Sequence, residues 1–191
     1  MTQRVFVDAN VLFSKTQMDW FFLLRLENKG MFQLHSTDDV FAEVLANMRK
    51  RNPRAPGYMI RRRHELMRRN IDEVLDTFPG NLPFTGKDEH DYHIHAAAIH
   101  CASDLVLTNN APSDSTTGEE PYEIIRPDDF FILVANSASQ DMLFAPIKDQ
   151  IDYWSKKTNQ QQLDESLRKA QCPQFAELVR EQLRKMARRG L

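Results

Sequence analysis

Four carboxylates in this chain stand where a shared site could form. Asp8 follows a first apolar run, Glu43 sits inside a helical apolar pattern, Asp91 precedes an alanine-rich stretch, and Asp114 lies in a polar loop. A cluster of like charges is costly to fold unless a cation neutralises it. Oxygen donors with no cysteine among them select hard ions, Mg2+ or Mn2+, over zinc. Such an ion can lower the pKa of water, orient it, and offset the charge that develops as a phosphodiester is cleaved. Each acid alone also has a plainer role: Asp8 as a loop carboxylate, Glu43 as a solvated helix residue, Asp91 as a helix-dipole acid, Asp114 as a turn former. The surrounding elements decide between the two.

Arg4-Val5-Phe6-Val7 reads as a buried strand that delivers Asp8 at its carboxyl end. A helix is predicted from Met18 to Asn28, stopped by Gly30, and a second strand over Phe32 to His35. Ser36 or Thr37 then caps a helix through Met48 that carries Glu43. Pro53 and Pro56-Gly57 break the chain before a basic helix from Met59 to Arg69, and Ile71 to Phe78 reads as a further amphipathic turn or two. Asp88 opens a helix that runs through Ala96-Ala97-Ala98 to Ala102, with acids complementing its dipole. Asp104 to Thr108 is a clear buried strand ending in Asn109-Asn110, and Tyr122 to Arg126 is a further strand candidate. Pro127 starts a helix, and the chain is helical from Ser137 onward with Pro173 as a break. Strands alternating with helices predict an α/β sandwich around a mainly parallel sheet, whose ligands collect at the carboxyl ends of the strands. Asp8 and Thr108-Asn109-Asn110 both fall there.

The chain has 191 residues, enough for one ordinary domain with a terminal extension. Hydrophobic residues make up 41% and charged residues 27%, which excludes wholesale disorder. No apolar run approaches the ~20 residues of a membrane span, and the first residues lack a hydrophobic signal region, so a soluble cytoplasmic protein is expected. Cys101 and Cys172 are too few for a disulfide framework and are expected as reduced thiols. The net charge of -2 conceals an asymmetry. Arg49, Lys50, Arg51, Arg54, Arg61, Arg62, Arg63, Arg68 and Arg69 are opposed over that stretch only by Glu65. A basic surface beside an acidic centre suits a protein that presents a phosphate backbone to metal-binding carboxylates. A solvated helix face, or one that meets an acidic partner, is the plainer alternative.

Five segments together resemble the PIN-domain ribonucleases. Val5-Phe6-Val7-Asp8-Ala9-Asn10-Val11-Leu12 is similar to the family's opening strand and its acid, and Ser36 to Leu45 to the helix of the second acid. Asp88-Glu89-His90-Asp91-Tyr92-His93-Ile94-His95 with the alanines after it resembles the third-acid segment. Asp104 to Asn110 resembles the following strand with its polar exit, and Ile124 to Phe130 the closing strand and Pro-led helix. The resemblance covers roughly residues 1 to 136, taken as the nuclease domain, with 137 to 191 as a helical extension. It implies a PIN-like three-layer sandwich and a Mg2+- or Mn2+-dependent endoribonuclease of the VapC-like kind found in toxin–antitoxin pairs. Asp8, Asp91 and Asp114 would hold the metal, and Glu43 would orient or deprotonate the attacking water. Asn10 and Thr108 would be polar supports. Asp114 comes slightly later than the family's fourth acid and precedes Ser115, and Asp88 is an alternative third acid. Products would carry a 5′-phosphate and a 3′-hydroxyl. Arg49, Lys50, Arg51, Arg61, Arg62 and Arg63 would hold RNA backbone without reading bases. A cognate antitoxin and a homodimer are the partners implied.

Two other readings compete. His90-Asp91, with His93, His95 and His100 nearby, is reminiscent of the HD phosphohydrolases, which need further His and Asp ligands that the chain does not supply at recognisable positions. A catalytically silent PIN-like scaffold that binds RNA or protein would keep the fold without the metal. In the extension, Phe144, Ile147, Ile151, Tyr153, Trp154, Leu163 and Leu167 could pack back on the chain, form a dimer, or receive an antitoxin segment.

Overall fold

The computed structural model describes residues 2–84, 86–111, 119–138, 141–158 and 161–190. The chain runs β1 (Gln3–Val7), α1 (Ala9–Phe13), α2 (Lys15–Glu27), β2 (Phe32–Thr37), α3 (Asp38–Arg51), α4 (Gly57–Asn70) and β3 (Glu73–Leu75). A 3-10 turn (Glu89–Asp91) leads into α5 (Tyr92–His100), followed by β4 (Leu105–Leu107) and β5 (Glu123–Ile125). The helices α6 (Pro127–Ser137), α7 (Phe144–Ser155), α8 (Leu163–Lys169) and α9 (Pro173–Arg189) complete it. Among the described residues no helix is long and apolar enough to cross a membrane.

The five strands form one sheet in the order β3-β2-β1-β4-β5, every pair parallel. This is the α/β architecture expected from the alternation of elements. Val5, Phe6 and Val7 are fully buried because β1 is the central strand, with β2 on one edge and β4 on the other. A strand covered on both faces cannot alternate polar and apolar residues, which is why it reads as a run. Ile71 to Phe78 is not the helical turn expected. It holds β3, a three-residue edge strand on β2 in which only Leu75 is buried. So short a half-exposed strand leaves no period-2 signal.

The chain forms two compact units, residues 1–13 with 30–126 and residues 14–29 with 127–191, rather than dividing at 136/137. The first holds the sheet with α1, α3, α4 and α5. The second holds α2 with α6 to α9. In the second unit Cys172 precedes α9 without a side-chain cap. Asp128, in the first turn of α6, supplies one from a distance: its Oδ1 accepts from Phe175 N at 2.8 Å and its Oδ2 from Gln174 N at 3.1 Å. Two charge-assisted hydrogen bonds thus satisfy amides that the start of a helix leaves open. Asp128→Ala is expected to cost about 3 kcal/mol and Asp128→Asn less, since one carbonyl still accepts. Urea unfolding followed by Trp20 fluorescence checks both.

Candidate active site at the strand switch point

From β1 the sheet grows one way through β2 and the other through β4, so the chain connections diverge above the carboxyl ends of these two strands. In open α/β sheets that divergence opens a crevice where ligands bind. Asp8 follows β1 directly and Thr108 follows β4, with Asp8 N donating to Leu107 O at 3.1 Å.

Asp8 is buried, and both its oxygens accept. Oδ1 takes Ala9 N at 2.5 Å, while Oδ2 takes Thr108 Oγ1 and Asn10 Nδ2, each at 2.6 Å. The Asn10 amide is fixed from its other end. Its Oδ1 accepts from Asn109 N at 3.0 Å, and because a backbone N–H can only donate, Nδ2 must face Asp8. Burial pushes the Asp8 carboxyl up from 3.8 to about 6; the Thr108 hydroxyl opposes this, and the negative charges of Asp91 and Glu43 add to it. Asp8 is therefore a carboxylate whose charge its surroundings disfavour, with two further acids close enough to be felt.

Asp91 reaches the site through the way α5 begins. Asp88, not Asp91, caps the 3-10 turn, its Oδ1 accepting from His90 N at 2.9 Å. The Asp91 side chain makes no cap and accepts instead from Asn110 Nδ2 at 3.2 Å. Asn110 ties the two acids together, because its Oδ1 accepts from Asn10 Nδ2 at 3.2 Å and its N–H donates to Thr108 Oγ1 at 3.1 Å. Asp8, Asp91, Thr108 and Asn110 line one small cavity with Ile94, His95, Val106, Tyr122 and Ile124. Asp88 is spent as a cap and lies outside it.

Glu43 is exposed on α3, flanking the buried stripe of Val40, Phe41 and Val44, and accepts from Asn47 Nδ2 at 3.5 Å. It acts on Asp8 through charge. Asp114 lies outside the described residues. Among the described residues no three His, Cys, Asp or Glu side chains are grouped tightly enough to hold a metal ion. Asp8 and Asp91 nevertheless form an oxygen-only donor pair, one member of which would gain from a neighbouring cation, and that chemistry fits a hard divalent ion.

The histidines take other roles. His95 Nε2 lies 3.1 Å from Pro83 O, an atom that can only accept, so this nitrogen carries the hydrogen. Nδ1 then accepts from Tyr122 Oη at 2.9 Å, and burial and nearby carboxylates hold the Tyr122 hydroxyl in its protonated, donating form. His93 Nδ1 donates to His90 O at 2.8 Å, and His90 and His100 are exposed. The run does not converge on a ligand set. His35, buried in β2, faces Glu73 at 3.0 Å in a geometry that makes no hydrogen bond, and burial lowers its proton affinity with Arg4 assisting.

The basic residues divide in two. Arg49 donates to Ala55 O and Pro53 O, Arg63 to Leu12 O at 2.9 Å, and Arg51 stands 6.0 Å from the Phe13 ring. Arg61 pairs with Glu65 and Arg68 with Asp38. Lys50, Arg54, Arg62 and Arg69 are exposed and make no ion pair among the described residues. Asn10 and Thr108 stand out in the sequence as strand-exit polar residues. The bridging role of Asn110 and the His95–Tyr122 pair do not, because they depend on contacts across 19 and 27 residues. Comparison of the chain with protein-family models, with curated proteins and with solved structures finds no match in any of the three.

Proposed function

We propose that this chain is a Mg2+- or Mn2+-dependent endoribonuclease, the toxin of a toxin–antitoxin pair, as its resemblance to PIN-domain proteins implies. One observation carries the reading: a buried Asp8 carboxylate, its proton affinity raised, shares a cavity with Asp91 at the sheet's switch point. Asp8 and Asp91 would hold the ion, with Asp114 as the third ligand the resemblance supplies. When bound, the ion would polarise the scissile phosphate and offset the charge that develops on it.

The chain's own groups do the rest. Thr108 and Asn10 fix the Asp8 carboxylate by donating to Oδ2, and Asn110 holds Asp91 against the same cluster. Glu43 is open to solvent, so it can orient a water and take its proton as that water attacks phosphorus in line. The exposed cations would hold backbone phosphates. A cytoplasmic location, a cognate antitoxin and a homodimer belong to the same proposal.

The test is incubation of the purified chain with total RNA in Mg2+, in Mn2+ and in EDTA, beside Asp8→Asn and Glu43→Gln, with the fragment ends mapped. The expected result is metal-dependent fragments with 5′-phosphates, absent from both variants. No cleavage together with no divalent-cation binding by calorimetry overturns the nuclease and leaves a silent PIN-like scaffold.

A further inference from the structure

The outer face of α4 carries a combination that its own fold does not use. Tyr58 is 62% exposed, Met59 44% and Leu66 37%. Arg62 lies four residues after Tyr58 and four before Leu66, and Arg69 lies three beyond Leu66, so these side chains are neighbours on one stripe of the helix. The opposite stripe is committed. Met67 is buried, Arg63 donates to Leu12 O at 2.9 Å, and His64 meets Phe41 edge to face. Arg61 and Arg68 are paired with acids, whereas among the described residues Arg62 and Arg69 are not. An exposed aromatic ring beside guanidinium groups that no acid neutralises suits a ligand offering both a planar face and negative charge.

We propose that this face of α4 is a docking platform for single-stranded RNA, with Tyr58 stacking on an unpaired base and Arg62 and Arg69 holding the flanking phosphates. Charge selects the occupant. The helix carries five arginines against the single acid Glu65, which suits a polyanion. A second copy meeting this face about a two-fold axis would set Arg62 and Arg69 against their own equivalents, a repulsion that association would have to overcome. The aromatic ring selects the strandedness, since a base inside a duplex is already stacked on its neighbours and does not offer its face. Arg63 anchors α4 to α1, the helix that follows Asp8 directly, so the platform belongs to the same unit as the candidate site. The choice of RNA as ligand rests on the nuclease reading; the surface argument does not.

The experiment uses the full chain carrying Asp8→Asn, in EDTA, so that no cleavage occurs. A fluorescent 12-nucleotide unstructured RNA and a hairpin of the same length are titrated by anisotropy over a range of KCl. Tyr58→Ala is expected to weaken single-strand binding on the order of tenfold and leave the hairpin nearly unchanged, with Tyr58→Trp restoring it. Arg62→Ala with Arg69→Ala should flatten the salt dependence by roughly one to two phosphate contacts. Circular dichroism confirms that these exposed substitutions leave the fold intact. Equal losses for strand and hairpin, or no loss on Tyr58→Ala, overturn the platform. So does a shift from dimer to monomer on Tyr58→Ala in sedimentation without RNA, which would assign the face to a second copy. Tyr58-dependent single-strand binding, with a parent chain that neither cuts RNA nor binds a divalent cation, would uphold the platform and sink the nuclease; cleavage indifferent to Tyr58 would do the reverse.

Discussion

Asp8→Asn is expected to lower metal-dependent cleavage on the order of a thousandfold while making the metal-free protein relatively more stable at neutral than at acid pH. The two effects have one cause. Burial raises the Asp8 carboxyl from 3.8 to about 6 in the folded chain, so between those values the native state holds a proton that the unfolded state has lost. Stability from this group is complete below pH 3.8 and is lost as pH rises through 6, by about 3 kcal/mol for a shift of this size. Asparagine carries no such dependence. Its amide cannot accept everywhere the carboxylate does, which costs some stability at every pH. That constant drops out when the variant's stability relative to the parent is compared between pH 4.5 and 7.5. The difference should move in the variant's favour by roughly 2 kcal/mol on going to pH 7.5.

His35 acts with the opposite sign. Its folded-state proton affinity is lowered, so the stability it supplies is present above the unfolded value of 6.5 and is lost as pH falls. It is common to parent and variant and cancels in the same comparison. Both tryptophans, Trp20 and Trp154, belong to the second unit, so their fluorescence does not report on β1. Amide exchange at Phe6 and Val7 does. Mg2+ should slow that exchange in the parent at pH 7.5 and leave the variant unaffected. An unchanged pH dependence in Asp8→Asn would remove the strained carboxylate from the argument.

What the sequence made legible follows from how each feature is encoded. β1 and β4 could be read because central parallel strands are buried on both faces and appear as Val5-Phe6-Val7 and Leu105-Val106-Leu107. β3 could not, because Glu73 is exposed and the three residues are held by β2 rather than by any pattern of their own. α1 was hidden in the polar exit Asp8-Ala9-Asn10, which reads as the end of a strand and is also the first turn of a helix. Thr37 as the cap of α3 was a local signal and is seen, its Oγ1 accepting from Val40 N at 3.1 Å. Asp8, Asn10 and Thr108 were accessible because strand ends in such sheets are where sites form. Their cohesion through Asn110 was not, since nothing local says which of two successive asparagines turns toward Asp91. In the same way nothing local to the Pro127-led helix says that Asp128 caps α9 as well, since its partners lie more than forty residues on.

Phe175→Ala is expected to cost the second unit about 3–5 kcal/mol, a large share of the stability an ordinary domain has. Phe175 is fully buried, 5.2 Å from Trp20 in an edge-on contact and 5.1 Å from Phe131, while Phe130 meets Phe21 at 5.7 Å. The cluster joins α2, α6 and α9, so a helix from the first crossover finds its partners more than a hundred residues later. Of the apolar stripe in residues 137 to 191, Ile147, Leu163 and Leu167 are buried in the same unit, Phe144, Tyr153 and Trp154 are half-buried, and Ile151 is exposed. Deleting 138–191 would take Phe175 from the buried Trp20 and remove α7 to α9 from the unit that α2 shares with them, and the shortened chain is expected to aggregate. Trp20 fluorescence during urea unfolding measures the point substitution, and the soluble fraction on expression measures the deletion. A soluble, cooperatively folded chain ending at 137 would show that α2 finds its cover elsewhere and that the carboxyl-terminal helices are an accessory. A Phe175→Ala midpoint close to the parent's would show that the aromatic cluster fills space without holding the unit together.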